Sequence, residues 1–178
     1  MDKNLNRLIL GFVLVLVAIA TGGIFLSSST QQSGSPLPVP DGWRKVDLPK
    51  FFFFVPADME PRAIRGEDSE VWRYESNGIR LDIDFGIHSN DLQSFRGQED
   101  YSEDSVNISG KRTRICSFRL DEPLSTRADY DYRLIAGAHF PKISDGSEKL
   151  TFWASCRDTA GQETAKTIFR TITFNKSR

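Results

Sequence analysis

The most reactive side chains in this 178-residue chain belong to two cysteines, Cys116 and Cys156. Each falls on the apolar side of a segment with strand-like alternation, which favours two buried thiols that pack as small hydrophobic residues. In an oxidising compartment the pair could instead form a disulfide, which would close a loop of about 40 residues and stabilise the fold by a few kcal/mol. The sequence leaves both alternatives open, because it does not show whether the two strands are neighbours. The cysteine spacing fits no zinc-binding pattern.

Asp82, Asp84 and His88 form a second group with chemical potential, since all three would project from the wet face of one predicted strand. Two carboxylates and an imidazole could bind a cation or transfer a proton if His139 also came near. This arrangement defines the one enzyme hypothesis that the residues permit, and a hydrolytic reaction would be its simplest form.

An ordinary solvated strand face is the alternative interpretation of the same carboxylates, with Arg112 and Arg114 of a neighbouring strand as their partners. We favour this alternative, because the chain contains no serine-nucleophile elbow, no P-loop and no histidine zinc motif. The sequence therefore predicts no catalytic residues, no metal ligands and no cofactor, and a protein that is not an enzyme.

The acidic stretch Glu99–Asp104 lies in a long polar segment, residues 89–105, that we predict to be a solvated loop. It lacks the glycine and the ligand alternation of a calcium-binding loop. A basic partner could nevertheless dock against it, because loops on a rigid scaffold often carry binding residues.

Charge excludes nucleic acid as a partner. Beyond the first seven residues the chain carries 21 basic and 23 acidic residues. Binding to phosphate backbones requires a clustered positive field, and a near-neutral domain does not supply one.

The N-terminal region predicts a membrane segment. Residues 8–26 are nineteen consecutive uncharged and mostly apolar residues, long enough for a helix to span about 30 Å of hydrocarbon. Lys3 and Arg7 precede this run and the first charge after it is Asp41, which places residues 1–7 in the cytoplasm and the bulk of the chain outside. The alternative is a signal peptide cleaved after Ala20.

The remaining chain divides into a tether and one domain. Residues 27–40 are rich in Ser, Gln and Pro, a composition typical of an extended linker. Residues 41–178 show a period of two, most clearly at residues 79–87, where apolar residues alternate with polar residues or glycine. The segments around Cys116, Ala136 and Phe152 show the same alternation, which indicates a mainly antiparallel sheet with one buried and one wet face.

Two segments depart from this alternation. Phe51–Val55 is apolar at every position, which favours a central strand covered on both sides. An exposed aromatic surface for a partner is the alternative. Near the C-terminus, residues 159–162 fit a helix capping box, and apolar residues follow at helical spacing from Ala165 to Ile172. The predicted fold class is α+β, a mainly antiparallel sheet with a C-terminal packing helix, preceded by one transmembrane helix.

Residues 41–174 resemble small exported bacterial domains of the Mog1/PsbP-like class. The resemblance rests on the opening segment 42–49, the strand Phe51–Pro56, the central segment 83–86 and the final helix at 165–168. It implies a compact α-β-α or β-sandwich-like domain that binds or scaffolds other proteins, without naming a partner.

These observations lead to one expectation and two alternatives. We expect a single-pass, membrane-anchored protein whose domain lies outside the cytoplasm and interacts with a protein of the cell envelope. A domain that binds a small ligand or a lipid between its apolar faces is the first alternative. The enzyme that would use Asp82, Asp84 and His88 is the second.

Overall fold

The computed structural model describes residues 38–122, 132–143 and 147–175, which contain ten strands and one α-helix. In chain order the strands are β1 Trp43–Asp47, β2 Phe51–Pro56, β3 Glu60–Arg62, β4 Glu70–Ser76, β5 Ile79–Gly86, β6 Glu99–Ile108, β7 Lys111–Arg119, β8 Leu134–Phe140, β9 Lys149–Cys156 and β10 Thr173–Phe174. The helix α1, Thr159–Arg170, lies between β9 and β10, and a 3-10 turn, Gln93–Phe95, precedes β6.

Seven strands form one antiparallel sheet in the order β3-β4-β5-β9-β8-β7-β6. The alternation of β5 is the clearest local cause, since its apolar residues are buried and its polar residues half-buried in strict succession. Ile83 pairs with Trp72 of β4 and with Phe152 of β9, so the side chains of these three residues lie on the same face of the sheet. The predicted antiparallel sheet is confirmed.

A second, three-stranded sheet in the order β1-β2-β10 packs on one face of the large sheet. Phe51, Phe53 and Val55 of β2 point inward and are fully buried, whereas Phe52 and Phe54 point outward and are half-buried. The Phe51 ring contacts those of Phe85 and Phe152, which joins the two sheets through aromatic pairs. The expectation that β2 is covered on both sides is therefore only half met.

Helix α1 lies on the same face, which we call the helix face. Ala165, Ile168 and Phe169 are its buried residues, and the Phe169 ring packs against that of Phe152. The helix begins one residue earlier than the predicted capping box, because Asp158 is the N-cap and its carboxylate accepts a hydrogen bond of 2.8 Å from the Gly161 amide. The predicted C-terminal packing helix is confirmed.

The fold class needs one correction. We predicted an N-terminal transmembrane helix as part of it, but no helix in the described ranges is long and apolar enough to cross a membrane. The segment that carried this prediction, residues 8–26, lies outside the described residues, as does most of the predicted tether. The fold class that the structure supports is two antiparallel sheets with one C-terminal helix.

Candidate functional site

The structure does not bring the two cysteines together. In the register of the sheet, Cys156 pairs with Leu134 of β8, whereas Cys116 pairs with Gly137 of the same strand. Because Leu134 and Gly137 differ by an odd number of positions, the thiols lie on opposite faces of the sheet. Both are free and buried. Burial raises the pKa of Cys116 to about 11 and that of Cys156 to about 12, which keeps both as unreactive thiols.

Asp82 forms ion pairs on the face of the sheet that also carries Cys116. Its carboxylate binds the Arg73 side chain of β4 and the Arg80 side chain of β5, the latter at 3.1 Å. The carboxylate is thus paired as the solvated-face interpretation expects, but its arginines come from β4 and β5, and not from positions 112 and 114 of β7.

His88 lies exposed in the turn after β5, whereas the buried histidine is His139, which is 2% exposed. Asp84, Thr151, His139 and Arg114 stand in one row across β5, β9, β8 and β7. Asp84 has one buried carboxylate oxygen without a hydrogen-bond partner among the described residues. The predicted trio of Asp82, Asp84 and His88 therefore does not converge.

His139 is held in a buried hydrogen-bond network. Its Nδ1 lies 3.0 Å from Thr151 Oγ1, and the same hydroxyl donates to the Asn90 carbonyl and contacts Ser89 Oγ at 2.7 Å. Because the Thr151 proton goes to Asn90, Nδ1 is the donor in its contact with Thr151, as it can be in either protonation state of the ring. Burial, followed by the nearby charge of Arg114, lowers the pKa of His139 to about 4.

Residues 87–98, which we call the cover segment, cross the sheet face opposite to α1. Ser89 and Asn90 bind the His139 network, and Arg114 donates to the Asp91 carbonyl at 2.8 Å. Beyond them lies a second apolar core that the sequence did not predict. Its buried members and their packing partners are Leu92, Cys116, Phe118, Leu120, Ile135, Phe95, Tyr101 and Trp153. The predicted wet face is therefore partly covered.

Gly137 provides the space into which the cover segment packs. A Cβ atom at this position would lie 2.5 Å from Leu92 Cδ1 and 3.2 Å from Cys116 Sγ. Leu92 itself adopts the left-handed conformation with φ 64°, which costs a non-glycine residue about 1 kcal/mol or more. The close approach of Leu92 to Gly137 thus depends on the missing side chain.

We expect Gly137→Ala to lower the free energy of unfolding by about 1–3 kcal/mol through overpacking. Gly137→Ala should cost less in the Leu92→Ala background, because that variant lacks the atom that the new methyl group meets. Urea denaturation of the wild type, both single variants and the double variant measures this coupling. Strictly additive losses would contradict the close contact.

Strand β6 forms an open edge of the seven-stranded sheet within the described residues, because it pairs with β7 only. The turn that joins the two strands, residues 109–110, has both φ values positive (51° and 78°), as in a two-residue type I′ hairpin. In such a hairpin Ile108 and Lys111 exchange both main-chain hydrogen bonds. The ladder then alternates, so that every second residue of β6 directs its N–H and C=O away from β7. These outward-facing residues are Glu103, Ser105 and Asn107.

Exposure agrees with this geometry at Glu103. The residue as a whole is exposed, although its side chain is only 23% exposed, so much of the exposed area belongs to the main chain. Ser105 and Asn107 are exposed as well. The edge therefore presents hydrogen-bonding groups of the main chain to solvent over three alternate residues.

Acidic side chains run along this edge. The Glu103 carboxylate accepts hydrogen bonds from Arg96 at 3.0 Å and from the Tyr101 hydroxyl at 2.6 Å. The bond from Tyr101, with that from Arg96, lowers the pKa of Glu103. Arg119 lies 3.9 Å from Glu99 and 3.6 Å from Asp100, whereas Asp104 is exposed and has no ion-pair partner among the described residues.

The predicted loop over residues 89–105 is thus replaced by the cover segment and the first part of β6. The acidic stretch Glu99–Asp104 lies on a strand, with a register shift between Glu99 and Ser102 and a left-handed Asp100 (φ 56°). The acidic composition of this stretch led to the prediction of a loop, but an edge strand also tolerates charged side chains.

The described residues contain no group of three His, Cys, Asp or Glu side chains arranged to hold a metal ion. The expectations that the protein needs no cofactor and is not an enzyme stay predictions. Compared with known proteins, the chain matches no protein-family model, and no curated protein is significantly similar to it.

Proposed function

We propose that this domain is a protein-interaction module that binds an extended, basic segment of a partner protein along the edge of β6. The observation that carries the proposal is the row of outward main-chain groups at Glu103, Ser105 and Asn107. An extended segment that adds to such an edge gains main-chain hydrogen bonds for affinity and side-chain contacts for specificity.

The acidic character of the edge supports a basic partner. Four of the ten residues of β6 are Asp or Glu. A second copy of β6 would place like charges opposite one another, which destabilises a strand pair. The charge therefore disfavours pairing between two copies of this chain and favours a segment with Lys or Arg at alternate positions. The resemblance to the Mog1/PsbP-like class, which implies protein binding, points in the same direction.

Ser105→Pro tests the proposal, because proline removes the outward N–H without removing a donor to β7. We expect the wild type to bind a short synthetic peptide of alternating arginine and threonine, and Ser105→Pro to weaken this binding at least about tenfold, since one main-chain bond is lost and the ring blocks the approach of the strand. Isothermal titration calorimetry at fixed low salt measures the affinity.

Two controls separate strand addition from charge attraction. Ser105→Ala removes the hydroxyl but retains the N–H, so it should bind like the wild type. A peptide of the same charge with proline at alternate positions has too few N–H groups to pair with the edge, and it should bind weakly to every variant. Equal binding of both peptides to the wild type would contradict strand addition, and an unchanged urea midpoint for Ser105→Pro confirms that the variant is folded.

The predicted location of the domain outside the cytoplasm stays a prediction, because the residues on which it rests lie outside the described ranges. Protease accessibility from each side of the membrane, combined with the mass of the mature product, tests it. Digestion of the domain from the outside only is the expected result, and digestion from the cytoplasmic side would contradict it.

A further inference from the structure

We propose that Arg96 of the cover segment occupies the position of a basic side chain of the partner at Glu103, and that binding requires an arginine of the partner to displace it. This inference rests on the proposed function and adds to it a specificity-determining residue, Glu103, and an internal competitor, Arg96.

Glu103 is the first of the three outward-facing residues of the exposed edge. Its main-chain groups point outward, so a residue of an added strand would sit directly opposite it. The side chains of such a cross-strand pair project to the same face, with Cβ atoms about 5 Å apart. Glu103 pairs with Cys116 of β7, so its side chain lies on the face that carries the cover segment.

The Glu103 carboxylate already has hydrogen-bond partners in the free protein. One guanidinium nitrogen of Arg96 lies 3.0 Å and 3.3 Å from the two Glu103 carboxylate oxygens. The Tyr101 hydroxyl binds one of these oxygens at 2.6 Å and fixes the carboxylate in place. An arginine from an added strand would reach the same oxygens, so the two guanidinium groups compete.

The Arg96 side chain is suited to be displaced. It is 53% exposed, and among the described residues its hydrogen bonds to side chains go to Glu103 and to Tyr101. Exposed ion pairs contribute little to stability, so the release of Arg96 costs the domain little. The cover segment stays attached through its separate contacts with Thr151 and Arg114.

Removing the competitor should therefore strengthen binding. We expect Arg96→Ala to bind the alternating arginine–threonine peptide about fivefold more tightly than the wild type, the factor that corresponds to the loss of one exposed ion pair. Arg112→Ala is the matched control, because this exposed arginine of β7 lies beside β6 opposite Asn107, whereas the ion pair of Glu103 is with Arg96. It removes the same charge and should change the affinity much less.

Glu103→Gln completes the test in a double-mutant cycle. If Glu103 is the shared carboxylate, Arg96→Ala should give no gain in the Glu103→Gln background. Equal affinity of Arg96→Ala and wild type, or equal gains from Arg96→Ala and Arg112→Ala, would overturn the inference. If this occurs while Ser105→Pro still weakens binding at least about tenfold, the competitor role fails and the proposed function stands. If the peptide binds no variant, both fail.

Discussion

Phe152→Ala is expected to lower the free energy of unfolding by about 3–5 kcal/mol, because it leaves a cavity among the rings of the core. Phe152 of β9 is fully buried, and its ring centroid lies 5.9 Å from that of Phe51, 5.3 Å from that of Phe53 and 5.8 Å from that of Phe169. One side chain thus joins the large sheet, the small sheet and the helix. Urea denaturation followed by circular dichroism measures the loss.

Phe54→Ala provides the matched control for this prediction. Phe54 is a phenylalanine of β2 that points away from the core and is half-buried, with Phe52 as its aromatic neighbour at 6.2 Å. Its removal should cost about 1 kcal/mol, because little apolar area returns to water. A loss at Phe152 no greater than the loss at Phe54 would contradict the packing of both sheets and the helix around one ring.

The second large effect is a loss of stability on acidification that depends on His139. An unfolded histidine titrates near pH 6.5, whereas the pKa of His139 in the fold is about 4. Between these values the unfolded chain takes up a proton that the folded chain does not, so stability falls as the pH falls from about 6.5 to about 4. At the acid end of this window, the shift in pKa corresponds to a loss of about 3 kcal/mol in the free energy of unfolding.

The groups that face His139 oppose its protonation on balance. Arg114 of β7 and Lys149 of β9 lower its pKa, whereas Asp91 and the Asn90 carbonyl of the cover segment raise it. His139→Asn removes the titration and retains an N–H donor near Nδ1. Between about pH 6.5 and about pH 4, the free energy of unfolding of this variant should depend less steeply on pH, because the contribution of His139 is absent. The variant should also be less stable than the wild type at neutral pH. His88→Gln, at the exposed histidine, is the control. Equal slopes for wild type and His139→Asn would contradict the buried neutral imidazole.

The sequence predicted those parts of the fold that depend on local periodicity. Alternation is sufficient to identify β5, and the spacing from Ala165 to Ile172 identifies α1, because each element buries a single face. The outward half of β2 was missed, since a run of phenylalanines does not show that only one face of the three-stranded sheet is fully buried.

Local sequence patterns could not predict which strands pair or in which register. Alternation places Cys116 and Cys156 each on an apolar side, but the two apolar sides are opposite faces, and only the register through β8 shows this. The cover segment was missed for a similar reason. Leu92 and Phe95 stand in a polar stretch without periodicity, and their burial depends on the distant Gly137, Phe118 and Trp153.

The edge of β6 shows what the sequence contributes to the candidate site. It showed the acidic stretch and the option of a basic partner, which are matters of composition. The sequence did not indicate that the acidic stretch is part of strand β6, because Asp and Glu are depleted in strands on average and are more typical of loops. The direction of the main-chain groups follows from the turn at residues 109–110, which only the structure gives.

The most direct test of strand addition at β6 is amide hydrogen exchange by NMR, with and without the alternating arginine–threonine peptide. In the free protein the amides of Glu103, Ser105 and Asn107 should exchange quickly, because they point to solvent, whereas Asp104 and Val106 should be protected by β7. Saturating peptide should slow exchange at the first three. If the peptide binds while these three amides exchange as before, the partner does not add a strand to β6, and the proposed function is wrong.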